Sequence, residues 1–190
     1  MKIRSSQREQ APFDTHLGRI VGITNIGHQP EFDYGAGIAP AKWKIEITYE
    51  LVDTGMAADG RPFHVSEEVN NTDNEKGTLF ARAQALGLKV GDCGPEWLNV
   101  PCMVSYGPNA KGNGKVQSIS GVPGSIPVSD LRNDAYCFDM DAEQPDMILW
   151  ESFSDFRKGK IKKAMNLEET PLYAILLKNG ELDKEVNSEY

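Results

Sequence analysis

The segment 42–51, KWKIEITYEL, carries a regular alternation of apolar and polar residues. Its odd positions are apolar or aromatic and its even positions are polar, which is the period-two pattern of a β-strand with one buried face. The pattern predicts that Trp43 faces the core together with the other odd positions. Its place at the start of the strand leaves a role in binding open as the alternative. Lys42 and Lys44 are predicted to point outward.

Four further strands are predicted from the residues around this one. β-Branched residues over 15–27 predict a strand in which Gly18 and Gly22 indicate a bulge or a sharp coil. The Pro- and Gly-rich stretch 28–41 is predicted to be a long loop. The remaining strands are predicted near 63–68, 101–106 and 116–122, with a Gly/Asn hairpin loop at 108–115 between the last two.

One helix is predicted between the third and fourth of these five strands. Leu79, Ala83 and Leu86 are spaced by four and three residues, which places them on one face of a helix. Asp73 or Asn74 is predicted to cap its start, and Gly87 to end it. Five strands in this order, with the helix after the third, predict a mainly β fold, namely a five-stranded OB-fold (Greek-key) barrel over residues 15–123.

The net charge of -8 is unevenly distributed along the 190 residues. Residues 1–129 have a net charge of -2, residues 130–155 of -7, residues 156–167 of +5 and residues 168–190 of -4. A nearly neutral body can still carry a basic groove, so the low pI does not exclude nucleic acid as a ligand. We therefore expect a flexible N-terminus (1–14), the barrel, a C-terminal extension with an acidic strap and a short basic amphipathic helix (124–167), and an acidic tail (168–190).

The cysteines and the apolar segments predict a cytoplasmic protein. Cys93, Cys102 and Cys137 are odd in number and form no CxxC pair, which argues against a disulfide framework and for a reducing compartment. The first residues contain no apolar signal-peptide core, and no apolar run approaches the roughly 18 residues that cross a bilayer. We expect no interaction with a membrane.

Motifs of the common enzyme classes are missing from the sequence. It has no GxxxxGK[ST] phosphate loop, no GxSxG nucleophile elbow and no His/Cys spacing typical of a zinc site. The acidic residues within 139–146 lack the spacing of a calcium loop, and a metal-dependent nuclease built on them remains only an alternative. We expect a protein that is not an enzyme, with no cofactor and no metal.

A groove that binds single-stranded nucleic acid needs cations for the phosphates and aromatic faces for the bases. The basic residues predicted to border such a groove are Arg19, Lys42, Lys44, Arg61, Lys111 and Lys115. The aromatic candidates for stacking are Phe32, Tyr34, His64 and Tyr106. For each lysine or arginine taken alone, a solvated surface position is the competing explanation.

The basic residues of 156–167 have three possible roles. They can form the solvated face of a helix, they can pair with the acidic residues of 130–155, or they can provide a second contact to DNA. Phe153, Phe156 and Ile161 are predicted to form the apolar face of the same helix.

Several segments together resemble a family of bacteriophage single-stranded DNA-binding proteins built on an OB-fold. They occur in order over roughly residues 12–166 and include THLGRIVGITNIGHQP, KWKIEITYELV, DGRPFHVSEEVNNT, LFARAQALG, PCMVSYGPNAKGNGKVQSISGVP and FDMDAEQPDMILWESFSDFRKGKIKKAM. The resemblance implies coating of single-stranded DNA during phage replication or recombination, in the cytoplasm of the bacterial host and without catalysis. It also implies replication or recombination proteins as partners of the acidic C-terminal tail, although Lys178, Lys184 and the apolar LYAILL make this tail less acidic than the family's.

One alternative belongs to a different functional class. An OB-like protein-interaction module would use its acidic C-terminal third to dock on a replication enzyme or to mimic DNA. It would bind single-stranded DNA weakly and a basic partner tightly. The sequence is compatible with either a monomer or a dimer.

Overall fold

The computed structural model describes residues 9–33, 35 and 37–182. Within these ranges the chain is mainly β, with short α-helices and 3-10 turns in between. The strands are β1 Asp14–Gln29, β2 Phe32–Asp33, β3 Ile38–Ala39, β4 Lys42–Leu51, β5 His64–Asn70, β6 Pro101–Pro108, β7 Gly114–Ser120 and β8 Tyr136–Phe138. The α-helices are α1 Thr78–Leu86, α2 Met147–Ser152, α3 Asp155–Lys162 and α4 Pro171–Lys178, and the 3-10 turns are Val90–Asp92, Pro95–Trp97 and Leu167–Glu169.

The main sheet is antiparallel and has six strands in the part of the chain that the structure describes. Five of them are hydrogen-bonded in the order β5-β4-β1-β6-β7, and β8 is an additional strand that pairs with β1. These five are the five strands predicted from the sequence, and α1 lies between the third and the fourth as predicted. The sheet is open, because no ladder joins its edge strands β5 and β7.

Strand β4 is buried on both of its faces from residue 45 onward, which differs from the predicted half-buried strand. The odd positions Ile45, Ile47, Tyr49 and Leu51 are buried as predicted. The even positions Glu46, Thr48 and Glu50 are buried as well, and Glu50 is 0% exposed. Alternation predicted the apolar face correctly, but it contains no information on what covers the polar face.

Residues 128–136, within the predicted strap, cover part of this polar face. The Arg132 N–H donates to Glu50 Oε1 at 2.7 Å, and the Asn133 amide donates to Glu50 Oε2 at 2.7 Å. The Tyr136 hydroxyl donates to Thr48 Oγ1 at 3.3 Å. Buried polar groups are stable when they are hydrogen-bonded, and these contacts satisfy both oxygens of the Glu50 carboxylate.

Gly22 allows β1 and the Tyr136 ring to approach closely. A Cβ atom at this position would lie 2.1 Å from Tyr136 Cζ, which is shorter than any van der Waals contact. Strand β1 runs without interruption from residue 14 to 29 and through both of the glycines for which a bulge or sharp coil was predicted. Here Gly22 provides space for a packed ring.

Helix α1 ends as predicted but begins later than predicted. Gly87 adopts the left-handed conformation (φ 68°) and closes the helix with its N–H bonded to carbonyls of the last turn. The N-cap is Gly77, which makes no side-chain cap bond, and not Asp73 or Asn74. The Asn74 carbonyl accepts a bond from the Gly77 N–H at 2.7 Å, because the chain makes a separate turn there before the helix starts.

The described chain divides into two compact units, each formed by two separate stretches of sequence. Among the described residues, unit 1 comprises 9–23 and 46–137, and unit 2 comprises 24–33, 35, 37–45 and 138–182. The predictions placed 24–45 inside the barrel domain. Strands β1 and β4 are long enough to contribute one end to each unit, and a division based on sequence position cannot show this.

Unit 2 has its own aromatic core. Phe138, Trp150 and Phe153 are buried and their ring centroids lie 5.1–6.5 Å apart. Helices α2, α3 and α4 begin with side-chain caps from Asp146, Ser154 and Thr170.

The predicted acidic tail contains α4, whose Leu172 and Leu176 are 0% exposed, so residues 168–182 are folded. Residues 183–190 lie outside the described part. No helix among the described residues is both long enough and apolar enough to span a bilayer.

Candidate nucleic-acid interface

An aromatic stack in unit 2 joins His28 and the exposed Trp43. Their ring centroids lie 5.1 Å apart and their planes differ by 13°, so the two rings are nearly parallel. Trp43 is 45% exposed, which corrects the prediction that it belongs to the core. Strand β1 ends one residue beyond His28 and β4 begins one residue before Trp43. We call His28 and Trp43 the aromatic platform.

The backbone beneath the aromatic platform is held by residues 164–166. The His28 N–H donates to Asn166 Oδ1, and the His28 carbonyl accepts from the Met165 N–H, both at 2.8 Å. Gly27, the residue before, has a φ of +76°. A Cβ there would lie 2.7–2.8 Å from atoms of three residues, Asn166, Ala164 and Met140. Only glycine fits this position, because it needs both a left-handed backbone and the space of a missing side chain.

Further exposed side chains follow in the loop between β1 and β4. Strands β2 and β3 form a short antiparallel hairpin in which Phe32 is opposite Ala39. Phe32 is 60% exposed and Ile38 is 67% exposed, in agreement with the expected surface position of Phe32. Lys42 is exposed and Lys44 is half-buried. Tyr34 lies outside the described residues.

Two of the predicted lysines lie in the hairpin between β6 and β7, in unit 1. Lys111 and Lys115 are both exposed. The Asn109 side chain shapes the loop, because its Oδ1 accepts from the N–H groups of Lys111 at 2.8 Å and Asn113 at 3.1 Å. The predicted Gly/Asn hairpin is therefore confirmed.

Tyr106 is a partly exposed residue of the same strand pair. Its ring centroid lies 5.6 Å from that of Phe13, which is 48% exposed. Its hydroxyl accepts a hydrogen bond from the Gln10 amide at 3.2 Å. Tyr106 and Phe13 together offer a second aromatic surface, in unit 1, and the sequence analysis did not identify Phe13.

Arg19 does not contribute to a groove, contrary to the prediction. Its side chain is 15% exposed, and its guanidinium donates to the carbonyls of Asn99 and Ser129 at 2.8 Å and of Val128 at 3.0 Å. These bonds use its donors to hold residues 128–130. A phosphate could bind here only if this segment detached, so Arg19 is not part of the candidate site.

Arg61 and His64 are also engaged with other residues. Arg61 forms an ion pair with Asp59, and the hydrogen bond and charge of Asp59 raise the pKa of its exposed guanidinium. His64 Nε2 lies 3.3 Å from Glu50 Oε2 and 3.1 Å from Asn133 Nδ2. The contacts of His64 belong to the buried Glu50 group, which makes it a poor candidate for base stacking.

A small cavity lies next to Arg61 and His64 in unit 1. It is also lined by Glu9, Asp59 and Phe63, and its volume is about 80 Å³. Ligand sites in proteins are typically several times larger, at roughly 300–1,000 Å³. We do not assign it a ligand.

Acidic residues pair with two of the basic residues of α3. Lys158 Nζ lies 3.0 Å from Glu151 Oε2, and Lys162 Nζ lies 3.0 Å from Glu181 Oε2. The Trp150 indole N–H donates to the same Glu181 carboxylate at 3.2 Å. Lys158 thus pairs with an acidic residue of 130–155, one of the three roles left open by the sequence, whereas the acidic partner of Lys162 lies outside that segment.

The acidic residues considered for a nuclease have a different set of contacts. The Asn25 amide donates to Asp139 Oδ1 at 2.8 Å and to Asp141 Oδ2 at 2.9 Å. Within the described ranges, no three His, Cys, Asp or Glu residues are grouped so that they could hold a metal ion.

Phe32 and Lys42 are among the residues predicted from the sequence, but the pairing of His28 with Trp43 was not predicted. A loop that returns the chain to the same sheet brings the residues at its two ends close together. The sequence therefore contained a signal for this pair, since His28 and Trp43 stand directly before and after the loop 29–42. Comparison of the chain with protein-family models and with curated proteins finds no match.

Proposed function

We propose that this protein binds single-stranded DNA without catalysis and coats it during phage replication or recombination. The observation that carries the proposal is the exposed Trp43 ring, which stacks nearly parallel on the half-buried His28 and follows the exposed Lys42 in sequence. Any of the four bases can stack on an exposed indole, and each stacked base contributes about 1–3 kcal/mol to binding. A lysine can attract the neighbouring phosphate.

The rigid support of the aromatic platform favours binding over a purely structural role. Two hydrogen bonds hold the backbone of His28, and the Trp43 ring packs against the His28 ring. A ring that is already ordered loses little conformational entropy when a base stacks on it. A large aromatic side chain that stays 45% exposed contributes less to the stability of the fold than a fully buried one does.

We further propose that the main sheet is the partly open Greek-key barrel of an OB-fold. The order of its five strands and the position of α1 support this assignment. The edge strands β5 and β7 also have Cα atoms within 8 Å of each other, although no ladder joins them. OB-folds commonly bind oligonucleotides.

Intrinsic tryptophan fluorescence tests the proposal directly. The chain has three tryptophans, of which Trp97 and Trp150 are 0% exposed and Trp43 is 45% exposed. Oligo-dT that stacks on Trp43 should therefore quench the exposed, red-shifted part of the emission and leave the buried part unchanged. Duplex DNA of equal length, which has no unstacked base, should quench weakly.

Variants of the aromatic platform separate stacking from general electrostatic attraction. We expect Trp43→Ala to raise the Kd for oligo-dT about 5–150-fold, which corresponds to the loss of one stacked base. Trp43→Phe should retain most of the affinity. Met56→Ala, which removes an apolar side chain of similar exposure (51%) in unit 1, is the matched control. If oligo-dT neither quenches the emission nor binds at low salt, the proposal is wrong.

A further inference from the structure

We propose that the bound single strand continues from the aromatic platform onto α3. There Phe156 would stack a further base, and Lys160 and Lys163 would contact phosphates. This inference rests on the proposed function and extends it to a second contact site within unit 2.

Phe156 is the first observation behind this inference. The sequence predicts that it lies on the apolar face of its helix with Phe153 and Ile161, both of which are buried. Phe156 is instead 72% exposed. Lys160 Nζ lies 4.5 Å from the centroid of its ring, within the range of a cation–π contact. The structure therefore presents an exposed ring with a cation next to it, as in sites that stack bases beside phosphates.

The local charge is the second observation. Residues 156–167 contain five basic residues and no acidic one. Glu151 and Glu181 neutralise Lys158 and Lys162, but Lys163 is exposed and forms no ion pair with the described residues. Basic residues in the last turn also stabilise a helix through its dipole. That explanation accounts for the lysines but gives no reason for an exposed phenylalanine.

The third observation is the connection between α3 and the aromatic platform. The Gln29 amide donates to the Lys160 carbonyl at 3.3 Å, and the Met165 N–H donates to the His28 carbonyl at 2.8 Å. The C-terminal end of α3 and the residues after it are thus hydrogen-bonded to the residues that carry the platform. Phe156 lies about one helical turn, or roughly 6 Å, before Lys160. A single strand that leaves the platform has only a few nucleotides to span.

The chemistry of this surface favours a nucleic acid over a protein. A flexible polyanion with aromatic bases uses both an isolated ring and cations, whereas a stable protein interface needs a larger packed apolar core. An acidic protein that uses Lys163 alone would not need the Phe156 ring. The test below distinguishes the two, since it measures DNA binding with each side chain removed.

The experiment uses the full chain and a series of oligo-dT lengths. Lengths from about 4 to about 20 nucleotides bracket the roughly 4–16 nucleotides of one OB-fold site. For the unaltered protein we expect affinity to rise with length as the strand reaches α3. We make Phe156→Ala and Lys163→Ala singly and together. For the double variant we expect an unchanged Kd for the shortest oligonucleotide that binds, and a Kd at least about fivefold higher for the longest.

The salt dependence gives a second readout. Loss of the Lys163 contact should reduce the slope of log K against log salt by about 0.7 for the long oligonucleotide. Lys178→Ala removes the same charge from an exposed position on α4 and should leave the slope unchanged. An unchanged Trp150 emission verifies that the variants are folded.

The outcomes separate the two proposals. If the unaltered protein binds no oligonucleotide, the proposed function fails, and this inference fails with it. If it binds all lengths and the variants on α3 bind them equally well, only the second contact site is wrong. If Lys163→Ala raises the Kd for the long oligonucleotide and Phe156→Ala does not, the proposed stacking of a base on Phe156 is wrong.

Discussion

Replacing Glu50 by Gln should weaken the attachment of residues 128–136 to β4. The Glu50 side chain is 0% exposed and accepts from the Arg132 N–H and the Asn133 amide, each at 2.7 Å. Glutamine has nearly the same shape but offers only one oxygen. Its NH₂ group would face either the Arg132 N–H or the Asn133 amide, so one of these two donors would lose its acceptor.

The expected loss follows from these two contacts. A hydrogen bond to a charged group contributes about 1.5–3 kcal/mol. We expect Glu50→Gln to lower the free energy of unfolding by about 1.5–3 kcal/mol. In a chain of this length, that is a fall in Tm of roughly 3–12 °C. Asn133→Ala should cost less, because it leaves the Arg132 bond intact.

The effect should depend on pH in one direction. Desolvation by burial acts to raise the pKa of Glu50, but the hydrogen bonds from Arg132, Asn133 and His64 outweigh it, so the pKa lies below the ordinary value of 4.5. A carboxyl group whose pKa is lowered by folding stabilises the folded state above its unfolded pKa, and this stabilisation is lost as pH falls through the folded pKa. The difference in Tm between the protein and Glu50→Gln should therefore be largest near neutral pH and shrink below about pH 4.5.

Thermal unfolding followed by circular dichroism, from about pH 7 to about pH 3, measures this difference. Glu75→Gln removes an exposed carboxylate from unit 1 and is the matched control, with a Tm within about 1–2 °C of the unaltered protein. Two results would refute the reasoning. One is a Glu50→Gln variant as stable as the unaltered protein near neutral pH, and the other is a difference that grows as the pH falls.

Three further predictions concern other parts of the chain. Arg82→Ala should lower the free energy of unfolding, measured by urea titration, by about 3–5 kcal/mol. The substitution leaves the nearly buried Glu67 without the guanidinium that bonds both of its oxygens at 2.9 Å. A variant as stable as the unaltered protein would contradict this. Gly27→Ala should shift the Trp43 emission and cost more than Gly112→Ala, since both positions have positive φ but a Cβ would clash only at Gly27. Burial raises the pKa of the Cys102 thiol to about 12, so iodoacetamide should label it in urea but hardly at all in the native protein near pH 8. Rapid native labelling of Cys102 would show that its surroundings open.

Local interactions made several elements predictable from the sequence. The five strands of the main path, the end of α1 at Gly87 and the hairpin around Asn109 were all predicted. Each depends on a signal between residues close together in sequence. These signals are a period-two pattern, a glycine in the left-handed conformation, and an Asn side chain that accepts a hydrogen bond from the N–H two residues later. Such signals do not require knowledge of the fold.

The roles of the polar side chains depended on the tertiary structure. Arg19 and Glu50 look like surface residues in the sequence, yet segments more than 80 residues away bring them their hydrogen-bond partners. Trp43 follows the apolar phase of its strand, yet it lies exposed against His28, and Phe156 is exposed where an apolar helix face was predicted. The alternation of a strand or helix shows which positions are apolar. What covers each face, and which rings remain in solvent, depends on contacts between distant segments that no local pattern encodes.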